Sequence, residues 1–289
     1  MMTREQALDR LNGNDLLQLG MDADDARQTL WPEAVVTYTV GYPLSVGSDA
    51  ELGEVAAAIT RGATGLVLSA RQSPSLNSVL ADVTLIHRRF PDLTLTGFSP
   101  SGIAALGNPA DVFQELKSAG LALFGNAAEA AHTDWVAIHR AAHRAGLPSI
   151  AVLTLRSSDS AEDWVSLLDQ VALLQAETQG FLACEPRIEH MERTLDEVTG
   201  AQYLKMVALC RLYLPTVPHI QVDWRIFGPK VLQVALRFGA DDAGLVVASE
   251  RDLRVPSHHS GEEELRRIIR DAGFQPSQRD AVYGRQFVH

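Results

Sequence analysis

The chain has 289 residues, 46% hydrophobic and 21% charged, with 25 Lys plus Arg against 36 Asp plus Glu and a formal charge of −11. A folded chain of this length buries roughly 75% of its unfolded surface, which sets aside disordered and fibrous classes, and its acidic field disfavours a nucleic-acid partner. No apolar run approaches the ~20 residues of a membrane helix, and the start MMTREQALDRLNGND has no basic-then-apolar leader pattern, so the expectation is a cytoplasmic protein with no membrane partner.

Residues 1–30 predict an N-terminal helical extension. Thr3 with Gln6 fits a capping box, and Leu8, Leu11, Leu16, Leu17 and Leu19 mark two amphipathic stretches parted by Asn12-Gly13-Asn14. Trp31-Pro32 ends the second, because the residue before proline is pushed out of the helical region. From Ala34 the chain alternates. Apolar or β-branched runs AVVTYTV, TGLVLSA, LTLTGFS, LALFGN, SIAVLTL, GFLACEP, HIQVDW and GLVVAS begin at Ala34, Thr64, Leu93, Leu121, Ser149, Gly180, His219 and Gly244. Between them lie helix-period stretches such as SLNSVLADVTLIHRRF and AEDWVSLLDQVALLQAETQG, and EEELRRIIRDAG follows the last run. Each strand-to-strand interval is long enough for a right-handed crossover through a helix. Eight such units in about 250 residues predict an α/β fold, a (β/α)8 TIM-type barrel over residues 31–289 in one domain. A doubly wound open sheet is the alternative, since alternation does not show closure.

In a barrel, chemistry gathers at the C-terminal ends of the strands. Candidates there are Tyr38, Arg71, Ser99, Ser101, Asn126, Glu129, Arg156, Glu185, Asp223, Arg225, Ser249, Glu250 and Arg251. Of these, Glu185, Asp223 and Glu250 are the candidate acid–base groups. Tyr38, Arg71, Ser99, Asn126, Glu129, Arg156 and Arg225 are the candidate ligand-binding groups. Lys117, Lys205 and Lys230 all fall in helical stretches, which disfavours a Schiff-base mechanism. His139 and His143 have metal-ligand spacing, but on a helix outside the barrel; His258-His259 follow the last strand run. The acids Asp241-Asp242, entering the last strand from the bottom face, are expected to pair with helix ends. No G-x-S-x-G or Walker A sequence occurs. Cys184 and Cys210, the only cysteines, read as reduced core residues, and no metal site is expected.

The segments NDLLQLG (Asn14–Gly20), GFSPSGI (Gly97–Ile103), HRAAHRAGL (His139–Leu147) and LLQAETQGF (Leu173–Phe181) form a recognisable set with two longer ones. These are Thr199–Gly244 and EEELRRIIRDAGFQPSQRDAVYG (Glu262–Gly284). Together the set resembles the radical S-adenosylmethionine (SAM) enzymes of menaquinone biosynthesis by the futalosine route. The likeness is nearest to dehypoxanthine futalosine cyclase, with aminofutalosine synthase and the deazaflavin-cofactor synthases as cousins. The resemblance implies a radical SAM barrel, a [4Fe–4S] cluster held by C-x3-C-x2-C after the first strand, and S-adenosylmethionine bound to it.

Here the chain departs from the pattern. GYPLSVGSDAELGE, read as the loop after the first strand run, has no cysteine. The family's Gly-Gly-Thr-Glu/Gln segment is Gly62-Ala63-Thr64-Gly65. Its Gly-Gly-Gly-Ala-Glu segment is Gly125-Asn126-Ala127-Ala128-Glu129 and its Gly-His-x-Glu segment is Arg156-Ser157-Ser158-Asp159. Its paired glutamates match Ser249-Glu250. The expectation is therefore a barrel retained without the radical reaction, and with neither cluster nor cofactor. Three functions stay open: a pseudoenzyme that binds a futalosine-type nucleoside or supports a cluster-bearing paralogue, or pairs with its own copy; an enzyme with acid–base chemistry on a related metabolite; and a genuine cyclase-like activity.

Overall fold

The computed structural model describes residues 2–47, 52–71, 74–125, 134–188, 198–224, 228–248, 261–284 and 286–287. Helix α1 (Arg4–Asn12) starts at the capping box: Thr3 Oγ1 accepts from Gln6 N at 3.2 Å and Thr3 N donates to Gln6 Oε1 at 2.9 Å. Thr3→Ala is expected to cost about 1 kcal/mol in a urea melt. Asp15 caps α2 (Leu16–Leu30), which stops at Trp31 before Pro32.

The alternating units follow: β1 (Val35–Val46), α3 (Leu52–Thr60), β2 (Gly65–Ala70), α4 (Leu76–Arg89), β3 (Thr94–Gly97), α5 (Pro100–Leu106), α6 (Pro109–Ala119) and β4 (Leu121–Phe124). Next come α7 (Trp135–Arg144), β5 (Ser149–Leu155), α8 (Ala161–Thr178), β6 (Phe181–Ile188), α9 (Gly200–Tyr213) and β7 (His219–Ile220). The chain ends with α10 (Pro229–Leu236), β8 (Asp242–Val247), α11 (Gly261–Asp271), β9 (Gln275–Arg279) and β10 (Gln286–Phe287). In the sheet, β1 to β7 neighbour one another in chain order and β8 pairs with β1. The bridge Gln221↔Asp242 joins the chain after β7 to β8 in parallel. This is the α/β fold of a (β/α)8 barrel.

Three local differences from the expected elements have simple causes. β1 runs on through Gly41–Val46, paired in parallel with Gly65–Ala70, so GYPLSV is strand and not loop. Leu44 and Val46 alternate inward while Pro43 and Ser45 face out, a period-2 pattern that the proline obscures. The short helix α5 follows β3, capped by Ser99 with Pro100 in its first turn. The antiparallel hairpin β9–β10 adds to the sheet beside β1, through polar residues whose composition carries no strand signal.

The chain divides into two compact units. The first comprises Met1–Tyr38, Ala151–Gly244 and Glu263–Ser277; the second comprises Thr39–Ile150, Leu245–Glu262 and Gln278–His289. In the first, α9 is buried around its whole circumference, from Tyr203 to Tyr213, as expected of a helix without a polar stripe. The N-terminal helices pack on it, and Lys205 Nζ donates to the carbonyls of Leu11 and Gly13, both at 2.6 Å, at the end of α1. Arg4 ties α1 to α8 through Glu162, Ser166 and Asp169. The second unit is built on Leu66, Leu68, Val79, Val83, Ile86, Leu95, Phe113 and Leu116, all buried between β2, β3 and the helices α4 and α6. No described helix is long and apolar enough to cross a membrane.

Candidate functional site

Strand β6 ends in Glu185-Pro186-Arg187-Ile188. Residues two apart on a strand share a face, so Glu185 and Arg187 meet. Arg187 Nε donates to Glu185 Oε1 at 2.7 Å, and Arg187 Nη2 lies 2.6 Å from the same oxygen. The other carboxylate oxygen, Oε2, accepts from Gln221 Nε2, just beyond β7. Glu185 is fully buried, whereas the Arg187 side chain keeps 12% exposure. A carboxylate with both oxygens engaged by donors is a positioned anion and a poor proton acceptor.

Tyr203 of α9 lies in the field of this cluster. Burial pushes its phenol well above the ordinary tyrosine value, Glu185 and then Asp223 push it further, and Arg187 opposes them. Tyr203 therefore stays a neutral hydroxyl. Asp223 is half-buried and Trp224 buried, at the end of the β7 segment. Thus the structure brings Glu185 and Asp223 around one phenol, and adds Arg187 and Gln221, which sequence reasoning missed. The alternation Glu-Pro-Arg on a strand was the available signal for Arg187. Gln221 had none, because its role depends on β7 lying next to β6.

The other sequence candidates are placed as follows. Tyr38 was expected at the barrel mouth; it is instead fully buried, with its hydroxyl 3.4 Å from Arg266 Nη1 of α11. Its neighbour Thr37 points the opposite way, to Asp242 Oδ2 at 2.5 Å, so strand alternation turns Tyr38 toward the helix layer. Ser99 accepts from Gly102 N at 3.1 Å as the cap of α5, and its hydroxyl lies 3.2 Å from Ser101 Oγ. Arg71 is exposed, its backbone N–H donating to Val46 O at 3.0 Å. Arg156 is half-buried just after β5, and its N–H donates to Asp159 Oδ2 at 2.9 Å. Asn126, Glu129, Arg225, Ser249, Glu250, Arg251, His258 and His259 lie outside the described residues.

His139 and His143 converge on one hydroxyl, Ser149 Oγ at the start of β5, with His139 Nδ1 at 2.8 Å and His143 Nε2 at 2.7 Å. Burial, reinforced by His143, holds His139 well below the ordinary histidine value, so it is neutral at pH 7. Asp241 and Asp242 pair with more than helix ends. Asp241 Oδ1 lies 2.5 Å from Arg211 Nη2 and Oδ2 lies 2.5 Å from His219 Nδ1, while Asp242 accepts from Thr37 and from Gly244 N.

The fold resembles that of methylornithine synthase (PylB), with a TM-score of 0.70 at 12% identity over 96% of this chain and 94% of that one. The class defined by this fold is the (β/α)8 barrel. A model described as the CofH/MqnC C-terminal region matches residues 178–288. The 5-amino-6-(D-ribitylamino)uracil–L-tyrosine 4-hydroxyphenyl transferase of Methanopyrus kandleri is 31% identical, over 81% of this chain and 73% of that protein. The aminodeoxyfutalosine synthase of Thermus thermophilus is 32% identical over 65% of this chain and only about half, 53%, of its own length. Cyclic dehypoxanthine futalosine synthases are also among the relatives. The chain belongs to this CofH/MqnC family, in agreement with the resemblance carried by its sequence.

The family implies an iron–sulfur cluster, and the donors present do not fit one held by three thiolates. The chain has two cysteines. Both are buried free thiols, Cys184 on β6 and Cys210 on α9, with their sulfurs 3.8 Å apart. Burial, then Cys210, pushes the Cys184 thiol well above the ordinary thiol range, away from the thiolate that a metal needs. Among the described residues no three His, Cys, Asp or Glu side chains gather as a metal site.

Proposed function

We propose that this chain is a cytoplasmic, cluster-free member of its family that binds a futalosine-type nucleoside and generates no radical. The observation that carries the proposal is the thiol inventory: two cysteines, both packed inside the first unit, against the three thiolates of the family motif. The engagement of both Glu185 oxygens supports binding over acid–base turnover, since the carboxylate is held as a fixed charge. The polar end of β6 and the β7 segment supply the binding groups, Arg187, Gln221 and Asp223.

Two measurements on the full chain test this. After anaerobic reconstitution with iron and sulfide, the protein is expected to show no cluster absorption band; about four irons per chain would overturn the reading. Calorimetric titration with dehypoxanthine futalosine is expected to show one saturable site, with no conversion of the nucleoside on prolonged incubation. Absence of binding, or product formation without iron, would equally count against it.

A further inference from the structure

We propose that the outer fork of the Arg187 guanidinium, Nη1 together with the second N–H of Nη2, is an oxyanion site that takes a carboxylate or phosphate group of the ligand. The inference rests on the reading that the ends of β6 and β7 receive a ligand, and it names the chemical group received there.

A guanidinium has five N–H donors in one plane. The edge made by Nε and Nη2 is spent on a single oxygen, Glu185 Oε1. Among the described residues Nη1 makes no hydrogen bond, and the Glu185 ion pair is the one hydrogen-bonded contact of the Arg187 side chain. The opposite, end-on fork thus keeps two parallel N–H groups, the geometry that matches a planar carboxylate or two phosphate oxygens.

The fork is also held in place. Glu185 is fully buried, and its second oxygen is fixed by Gln221, so the carboxylate cannot turn and the guanidinium plane is set from behind. Pro186 between the two residues restricts the backbone that carries them. With 12% of its side chain exposed, Arg187 has lost most of its water yet still has donors to satisfy. It sits one residue before the C-terminal end of β6, the end from which barrel sites are built. Glu185 is here a positioning residue: it neutralises the buried cation and aims its open edge. Asp223, whose charge acts together with that of Glu185 on the Tyr203 phenol, disfavours a second anionic group on the ligand nearby.

The test uses sodium benzoate, inorganic phosphate and uncharged benzamide as probes, titrated calorimetrically into the full chain at constant ionic strength. At least one anion is expected to bind saturably and benzamide not to bind; a benzoate preference identifies a carboxylate and a phosphate preference a phosphate ester. Arg187→Gln is expected to weaken that binding about tenfold or more. Arg187→Lys keeps the charge but not the fork, and is expected to recover only a minor part. Glu185→Gln is expected to weaken binding while leaving stoichiometry unchanged. Equal anion binding by wild type and Arg187→Gln, full rescue by lysine, or no anion binding by wild type would overturn the inference. If dehypoxanthine futalosine still binds Arg187→Gln as it binds wild type, the fork fails while the nucleoside reading stands. Should Arg187→Gln not fold, the lysine variant alone decides.

Discussion

Arg211→Met is expected to destabilise the protein by about 3–5 kcal/mol, read as a fall in the urea midpoint at unchanged slope. The Arg211 side chain is fully buried on α9 and serves three partners: Gly239 O at 2.9 Å, Pro218 O at 3.1 Å and Asp241 Oδ1 at 2.5 Å. Removing it strands a buried carboxylate and two carbonyls at once. Asp241→Asn should cost less, because the amide still offers an oxygen to Arg211, and what it costs comes from leaving the buried guanidinium without its counter-charge. Burial alone would raise the Asp241 carboxyl, but Arg211, His219 and the Ile220 N–H together hold it below its ordinary value. Its stabilising contribution is therefore complete above the unfolded pKa of about 3.9 and disappears as pH falls through the lower folded value. The stability gap between wild type and Asp241→Asn should accordingly close in that acid window. A gap that persisted below it would mean that the carboxylate is not the stabilising form.

Gly97→Ala is the second large effect, at about 2–6 kcal/mol from backbone strain and overpacking together. Gly97 ends β3 with φ 131°, and a Cβ there would lie 2.2 Å from Leu68 O and 2.5 Å from Leu68 N. Those are backbone atoms of the paired strand β2, which cannot rotate away. The next residue, Phe98, already sits at φ 61° while donating its N–H to Leu68 O at 2.8 Å. The turn thus leaves the strand in a conformation that the following Ser99 cap requires. A thermal melt checks the cost, and a loss below about 1 kcal/mol would show that β2 and β3 part more readily than their register implies.

The resemblance in GFSPSGI and in Thr199–Gly244 is enough to point to the family, and the alternation of runs and helices points to the barrel. The site was legible only in part. Glu185 and Asp223 could be singled out because each ends a strand run in a carboxylate. Tyr38 lies within the first run, but which face of β1 looks inward depends on the neighbour that Thr37 finds on β8. Alternation alone leaves that choice open. Arg187 was readable from its spacing to Glu185 and was passed over; Gln221 was not readable, since a glutamine becomes a clamp only beside the carboxylate it holds.

What the sequence decided by itself is local or arithmetical: the cap at Thr3, the order of the strands along the chain, the acidic charge, and the count of two thiols. These depend on neighbours along the chain, or on no neighbours at all. What the tertiary structure alone decided is which groups share a low-dielectric space: Arg211 with Asp241 and His219, two histidines on one serine, and a guanidinium fixed on one edge and open on the other. The energies of such pairings depend on distance and desolvation, quantities that exist only once the chain has folded.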